Sequence, residues 1–428
     1  MNIRETMQAR APTDSRVDAR PLWSFCILPA LTMSLGWGLR GSIGGGPLGA
    51  MIPGAMIGLV LCILLGRSSD AGRVAAFAAL GVGLGGQETY GQTVGLSLEP
   101  ETFLWAMLGF AIKGAAWGLA GGALIGLALR PLPTRRVLIG LCLLVVGTWA
   151  GWKVINDPKL VYFSNPIDRP REELWAGLWL GGLLLTAWLR SRVPSLFALC
   201  GAIGGGIGFA VGAALQPLGR DVWAWMPLGW WKGMELTFGA LLGVSYGLCA
   251  WRLRKDLRMA GPPPSPVRPA YVGIACASLA VVLAIVADEI LPIRFSYTVG
   301  AAALASLVWF SSPLAWQTAV TATYAAFSWD LADNLALLPA WMSWTWVVVT
   351  TVTVAILVAR YPRPRATVLL LTWTAVGTAF RYLLPPSRIS SEAVTMLIVF
   401  VLFAVAATWL VAGMGERGTS AVDPKPES

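Results

Sequence analysis

Apolar residues between positions 22 and 413 fall into runs separated by short polar joints. Most runs approach the roughly 20 helical residues needed to cross a hydrocarbon layer of about 30 Å. They lie at 22–39, 48–65, 74–96, 102–129, 137–154, 174–189, 196–215, 223–251, 270–291, 296–310, 313–329, 339–359, 366–384 and 393–413. The pattern predicts an all-α fold, a polytopic integral membrane helix bundle of about 14 transmembrane helices. The tenth and eleventh runs are short and joined only through Ser311 and Ser312; folded as a re-entrant pair, they reduce the count to about 12. No run alternates in polarity over about ten residues, as the strands of an outer-membrane barrel do.

Hydrophobic residues make up 56% of the 428 and charged residues only 13%, which removes the chain from the soluble globular class. Basic residues mark cytoplasmic joints. A cytoplasmic N-terminus puts Arg4, Arg10, Arg16 and Arg20 on that side, then Arg67 and Arg73, Arg130, Arg135 and Arg136, Arg190 and Arg192, the basic stretch 252–268, Arg360, Arg363 and Arg365. Most joint carboxylates fall opposite, among them Glu99, Glu101, Asp157, Asp168, Glu172, Glu173, Asp221 and Glu392. The expected location is a bacterial inner (plasma) membrane with both termini cytoplasmic. The formal charge of +10 then reflects topology and contact with the lipid bilayer, and nucleic acid is not an expected partner.

The same reading divides the chain. Residues 1–21 form a basic cytoplasmic segment, 22–130 and 131–252 two membrane repeats of four spans each, and 253–269 a Pro-rich basic cytoplasmic linker. A C-terminal membrane section of about six spans covers 270–413, and 414–428 is a disordered cytoplasmic tail. The first apolar run resembles a signal peptide but is long for one and continues into Gly-rich sequence, so a retained span is expected.

The repeat is read from matched positions. At an offset of 123 residues, Gly54 pairs with Gly177, Gly58 with Gly181 and Arg67 with Arg190. Lys113-Gly114 pairs with Lys232-Gly233 at 119, and Gly118, Gly122 and Gly126 pair with Gly239, Gly243 and Gly247 at 121. Four spans per unit makes the repeats parallel rather than inverted. Chance matching in Gly-rich sequence is the competing explanation. Glycine at every fourth position, also at Gly204, Gly208 and Gly212, lets helix backbones approach closely, and such faces also offer a route to oligomerisation. Runs such as Gly81, Gly83 and Gly86 formally fit a nucleotide-binding glycine pattern but lack its strand–turn–helix context.

Several chemistries are set aside. The chain has no histidine, which rules out a His-ligated zinc or haem site. No metal and no cofactor is expected, and no catalytic set is assigned. The six cysteines, none in a CxxC pair, read as small buried hydrophobes without a disulfide framework.

Charges inside spans cost at least about 2.5–3.5 kcal/mol each, so those present need partners or a purpose. Glu88, Lys113, Lys232 and Glu235 share a depth between the outer surface and the midplane. Lys232 and Glu235 are three apart on one helical face, while Glu88 and Lys113 lie on successive antiparallel spans. Two ion-pair clasps are one reading; a polar cavity facing outward is the other. Arg40 ends the first run within a stretch so rich in glycine that a helix break and an anion site are expected, against the plainer reading of an Arg reaching for outer headgroups. Gln87, Glu88 and Tyr90 belong to a hydrogen-bonding cluster unusual in a span. The candidate substrate-binding set is therefore Arg40, Gln87, Glu88, Tyr90, Lys113, Lys232 and Glu235, with Asp330 and Arg381 as gating or ion-coupling candidates. Most of the 22 tryptophans, including Trp105, Trp149, Trp152, Trp223, Trp225, Trp341 and Trp344, read as interfacial anchors.

These features favour a secondary transporter or facilitator of a small polar or anionic solute. The alternatives are a membrane-embedded transferase acting on a lipid-linked substrate, which the absence of a tight acidic pair in the 153–173 loop weakens, and a non-catalytic membrane subunit of a complex.

Overall fold

The computed structural model describes residues 20–40, 47–86, 88, 90–130, 132–164, 173–258, isolated positions between 320 and 328, 339–361, 363–383 and 389–414. The regular elements among the described residues are all helical. In chain order the α-helices are α1 (Leu22–Arg40), α2 (Pro47–Leu65), α3 (Ala71–Gly85), α4 (Gly91–Ser97), α5 (Phe103–Leu129), α6 (Thr134–Gly151), α7 (Trp175–Leu189), α8 (Arg192–Asp221), α9 (Trp230–Arg258), α10 (Ala340–Arg360), α11 (Pro364–Ala379) and α12 (Ser391–Gly413). Seven described helices, α1, α5, α6, α8, α9, α10 and α12, are long and apolar enough to cross a membrane, and α2 and α7 are shorter apolar helices. The expected runs at 270–291 and 296–310, most of 313–329 with its re-entrant alternative, and most of the terminal segments and linker lie outside the described residues.

The boundaries depart most from the sequence expectation at three places, and α8 also outruns its expected 196–215 at both ends. The run 74–96 is not one helix: α3 stops at Gly85, Glu88 and Tyr90 are non-helical, and α4 restarts at Gly91. Gly81, Gly83, Gly85 and Gly86 make this a weak helical stretch, so hydrogen bonds offered by neighbouring elements win. Conversely α1 stays helical through Gly36 and Gly38 to Arg40, because the backbone at Gly36 abuts Pro53 and at Gly38 abuts Phe400 and Leu236. Finally α9 starts at Trp230, after Pro227, rather than at 223, and continues to Arg258, inside the stretch expected to be linker.

The interior is built around α5, which packs on α8, α3 and α7. A side chain at Gly118, Gly122 or Gly126 would collide with the backbone of α8 at Gly201, Phe197 or Pro194. Without a hydrophobic driving force between helices in lipid, such close approach supplies the van der Waals contact that holds them. Gly239, Gly243 and Gly247 of α9 sit in the same way against Met33, Pro29 and Phe25 of α1. The two stripes matched in sequence therefore take different partners.

One end of the bundle is tied by arginines. The side chain of Arg67, just past α2, donates to the carbonyl oxygens of Leu129 (2.7 Å) and Leu257 (2.9 Å), at the last turns of α5 and α9. It also pairs with Asp70, which bonds Arg73 at 2.9 Å. Arg20 donates to the carbonyls of Ile63 and Leu64 at the end of α2. Helix C-termini present carbonyls without intrahelical donors and a partial negative charge, and the guanidinium groups satisfy both.

Candidate functional site

At the opposite end, the interruption between α3 and α4 separates two buried polar clusters. The first centres on Lys113, the eleventh of the 27 residues of α5 and fully buried. Its ammonium lies 3.1 Å from Glu88 Oε1 and 2.9 Å from Glu173 Oε1, and donates to Thr93 Oγ1 of α4 at 3.1 Å. Glu173 lies two residues before α7 and accepts from the Phe163 backbone N–H, Ser164 Oγ (2.9 Å) and Trp175 Nε1 (3.2 Å). Glu88 Oε2 accepts from the Leu174 N–H at 2.6 Å. Both carboxylates thus meet one ammonium in a fully buried interior, where charge attraction is strong but desolvation is costly and every remaining lone pair needs a donor.

The second cluster lies where α1, α9 and the segment just before α4 converge. Glu235 Oε1 accepts from Tyr90 OH (3.0 Å) and Trp231 Nε1 (3.2 Å), while Oε2 pairs with Lys232 at 2.6 Å. The buried Arg40 guanidinium lies 5.4 Å from the ring centroid of Trp37, 5.1 Å from Tyr90 and 4.9 Å from Trp117. Ring faces carry negative quadrupole density, so three of them form a cradle for the cation. The cradle is held rigid by Phe238 and Phe209, packed edge-on or tilted against Trp37, Trp117 and Tyr90. Trp117 is also fixed by its Nε1 bond to the Val82 carbonyl at 2.8 Å, and its ring crosses Gly85, where any side chain would clash. Glycine is required there because the ring occupies the space a Cβ would fill.

The structure therefore brings Arg40, Tyr90, Lys232 and Glu235 into one cluster and Glu88 and Lys113 into another. Gln87 and Asp330 lie outside the described residues; Arg381 falls in a short 3₁₀ turn (Phe380–Leu383) without a described side chain. Glu173, Thr93 and Ser164 were not among the sequence candidates. Glu173 read only as one of several outer-loop acids, and nothing local distinguishes it from its neighbours. Trp105, Trp149, Trp225, Trp341 and Trp344 are exposed and Trp152 and Trp223 half-buried, whereas Trp37 and Trp117 are wholly buried and belong to the cradle. Among the described cysteines, expected to be buried, Cys62 and Cys249 are buried, Cys26 and Cys200 are half-buried, and Cys142 is exposed on α6, which packs mainly on α7 and leaves that face uncovered. Among the described residues no group of three or more His, Cys, Asp or Glu side chains is placed to hold a metal ion.

What fold and site define is a class: an all-helical protein with helices of membrane-crossing length and a buried ionic centre at one end. No protein family, curated protein or solved structure matches the chain.

Proposed function

We propose that the chain is a secondary transporter or facilitator of a small polar or anionic solute. In this reading it has about 14 spans in a bacterial inner membrane with both termini cytoplasmic, and its first eight spans descend from a tandem duplication whose halves have since diverged in packing partners. The solute enters from the outer side and meets Arg40 and Lys232; Glu88, Tyr90, Lys113 and Glu235, joined by Glu173, form the polar wall, with Gln87 on the same segment. Asp330 and Arg381 remain gating or ion-coupling candidates.

The observation that carries the proposal is the joint placement of Arg40, Lys113 and Lys232 with three glutamates around an interrupted helix in an otherwise apolar bundle. A fold needing only cohesion could use apolar contacts at lower desolvation cost. The interruption also turns the Glu88 and Tyr90 side chains toward Lys113 and Glu235 on other helices.

The experiment is uptake into proteoliposomes of a panel of small carboxylates, inorganic anions and polyols, run alongside stability in detergent. The charge-neutral variant Glu88→Gln/Lys113→Met/Glu173→Gln and the single variants Arg40→Gln and Lys232→Met should fold yet lose transport. Full uptake by the charge-neutral variant would reduce its cluster to a helix clasp and sink the assignment.

A further inference from the structure

At the end of the bundle tied by Arg67, a cavity of about 560 Å³ opens between the last residues of α5 and α9 and the first of α8, lined by Arg130, Ser191, Arg192, Val193, Lys255 and Asp256. We propose that this cavity and the adjoining face of α8 hold one anionic phospholipid. The volume lies within the range typical of small-ligand sites. Its lining sets three cations against one carboxylate, and the Arg192–Asp256 contact is long, 3.5 Å, and exposed. Such a pair is weak, so a phosphate can take the guanidinium with two parallel hydrogen bonds.

The helix ends reinforce this sign. Ser191, Arg192 and Val193 put the start of the 30-residue α8, its positive pole, at the cavity, and the Ser191 side chain makes no capping bond there. The negative poles of α5 and α9 would oppose an anion, but the Leu129 and Leu257 carbonyls are already bonded to Arg67.

A second observation, independent of charge, points to a lipid rather than a free anion. Leu199, Ile203, Ile207 and Val211 are exposed and follow one another at four-residue intervals along α8. At 3.6 residues per turn, Leu199 and Ile203 lie almost directly in line with Arg192. A phosphate group on Arg130, Arg192 and Lys255 would thus sit at the head of an apolar track running into the bilayer, and a phosphodiester carrying acyl chains uses both. The inference is independent of what the other end of the bundle binds.

The test uses the full chain purified in neutral detergent, with native mass spectrometry and thermal unfolding in the presence of dioleoyl-phosphatidylglycerol, the matching phosphatidylcholine, or inorganic phosphate. Wild type should retain one phosphatidylglycerol with a preference of about tenfold or more over phosphatidylcholine. The variant Arg130→Gln/Arg192→Gln/Lys255→Gln, altered only at exposed side chains, should lose that preference while unfolding at the wild-type temperature without lipid. Should the triple variant be unstable, Arg192→Gln and Lys255→Gln singly should each lose part of the preference. Equal retention of the two lipids, an unchanged preference in the variants, or equal protection by inorganic phosphate would overturn the proposal.

Discussion

Replacing Lys113 with Met removes the only positive charge that the described residues place between Glu88 and Glu173, at 3.1 and 2.9 Å. Both carboxylates are fully buried, so neither can regain water without opening the bundle. Breaking one buried pair by removing a partner costs about 3–5 kcal/mol, and stranding two carboxylates belongs at the upper end. At about 1.4 kcal/mol per tenfold, that is roughly three and a half powers of ten in the folded-to-unfolded ratio. The cost arises from uncompensated charge rather than lost packing, since Met fills most of the lysine volume. Adding Glu88→Gln and Glu173→Gln should therefore recover all but about 1–2 kcal/mol, because each amide oxygen still accepts from Leu174, Phe163 or Ser164. The assay is reversible unfolding in mixed micelles by titration with sodium dodecyl sulfate, followed by tryptophan fluorescence. A Lys113→Met protein within about 1 kcal/mol of wild type, or a triple variant no better than the single one, would refute the reasoning.

Other expectations rest on other contacts. Gly118→Leu drives a side chain into the Gly201 carbonyl and should cost about 3 kcal/mol or more, whereas Gly95→Leu, which meets nothing within 4 Å, should change stability little in the same unfolding assay. Arg67→Gln leaves Asp70 and the ends of α5 and α9 under-satisfied, and about 3 kcal/mol should be lost, with faster amide exchange confined to those last turns. In a cysteine-free background, Glu99→Cys and Asp221→Cys should react with an impermeant thiol reagent applied outside the cell, while Arg135→Cys and Arg363→Cys should not; the opposite pattern would invert the proposed orientation.

The helices were legible because a run of apolar residues long enough to cross lipid has few other uses, and the ends of α7, α10 and α12 fall within a few residues of where hydropathy changes. The gap between α3 and α4 was not, because averaging over 74–96 conceals an interruption at Glu88 and Tyr90, whose side-chain partners come from elsewhere. Lys232–Glu235 could be read from helical spacing alone, and Glu88–Lys113 from the antiparallel order of neighbouring spans. Glu173 could not, since 60 residues separate it from Lys113 and the surrounding acids carry the same topological meaning. Arg67 likewise matched the charge expected at a cytoplasmic joint, and only the convergence of three helix ends turns it into a tie. Trp37 stands near the end of its span where an anchor would, yet it is buried against Trp117 of α5 and Phe238 of α9.

That tie has a mechanical meaning. With α2, α5 and α9 clamped around one guanidinium, the bundle has a fulcrum, and displacement of these helices grows with distance from it. Lys113 is 16 residues before Leu129 on α5 and Glu235 is 22 before Leu257 on α9, which sets them about 24 and 33 Å along their respective lever arms. A tilt of about one degree at the clamp then moves each charged group by roughly half an ångström, comparable with the slack in a single hydrogen bond. Glu88 and Tyr90, two residues apart on the interrupted segment, are fastened to different arms of this lever, Glu88 to Lys113 and Tyr90 to Glu235. Spreading of the arms must stretch or release one of these fastenings before the fulcrum gives way.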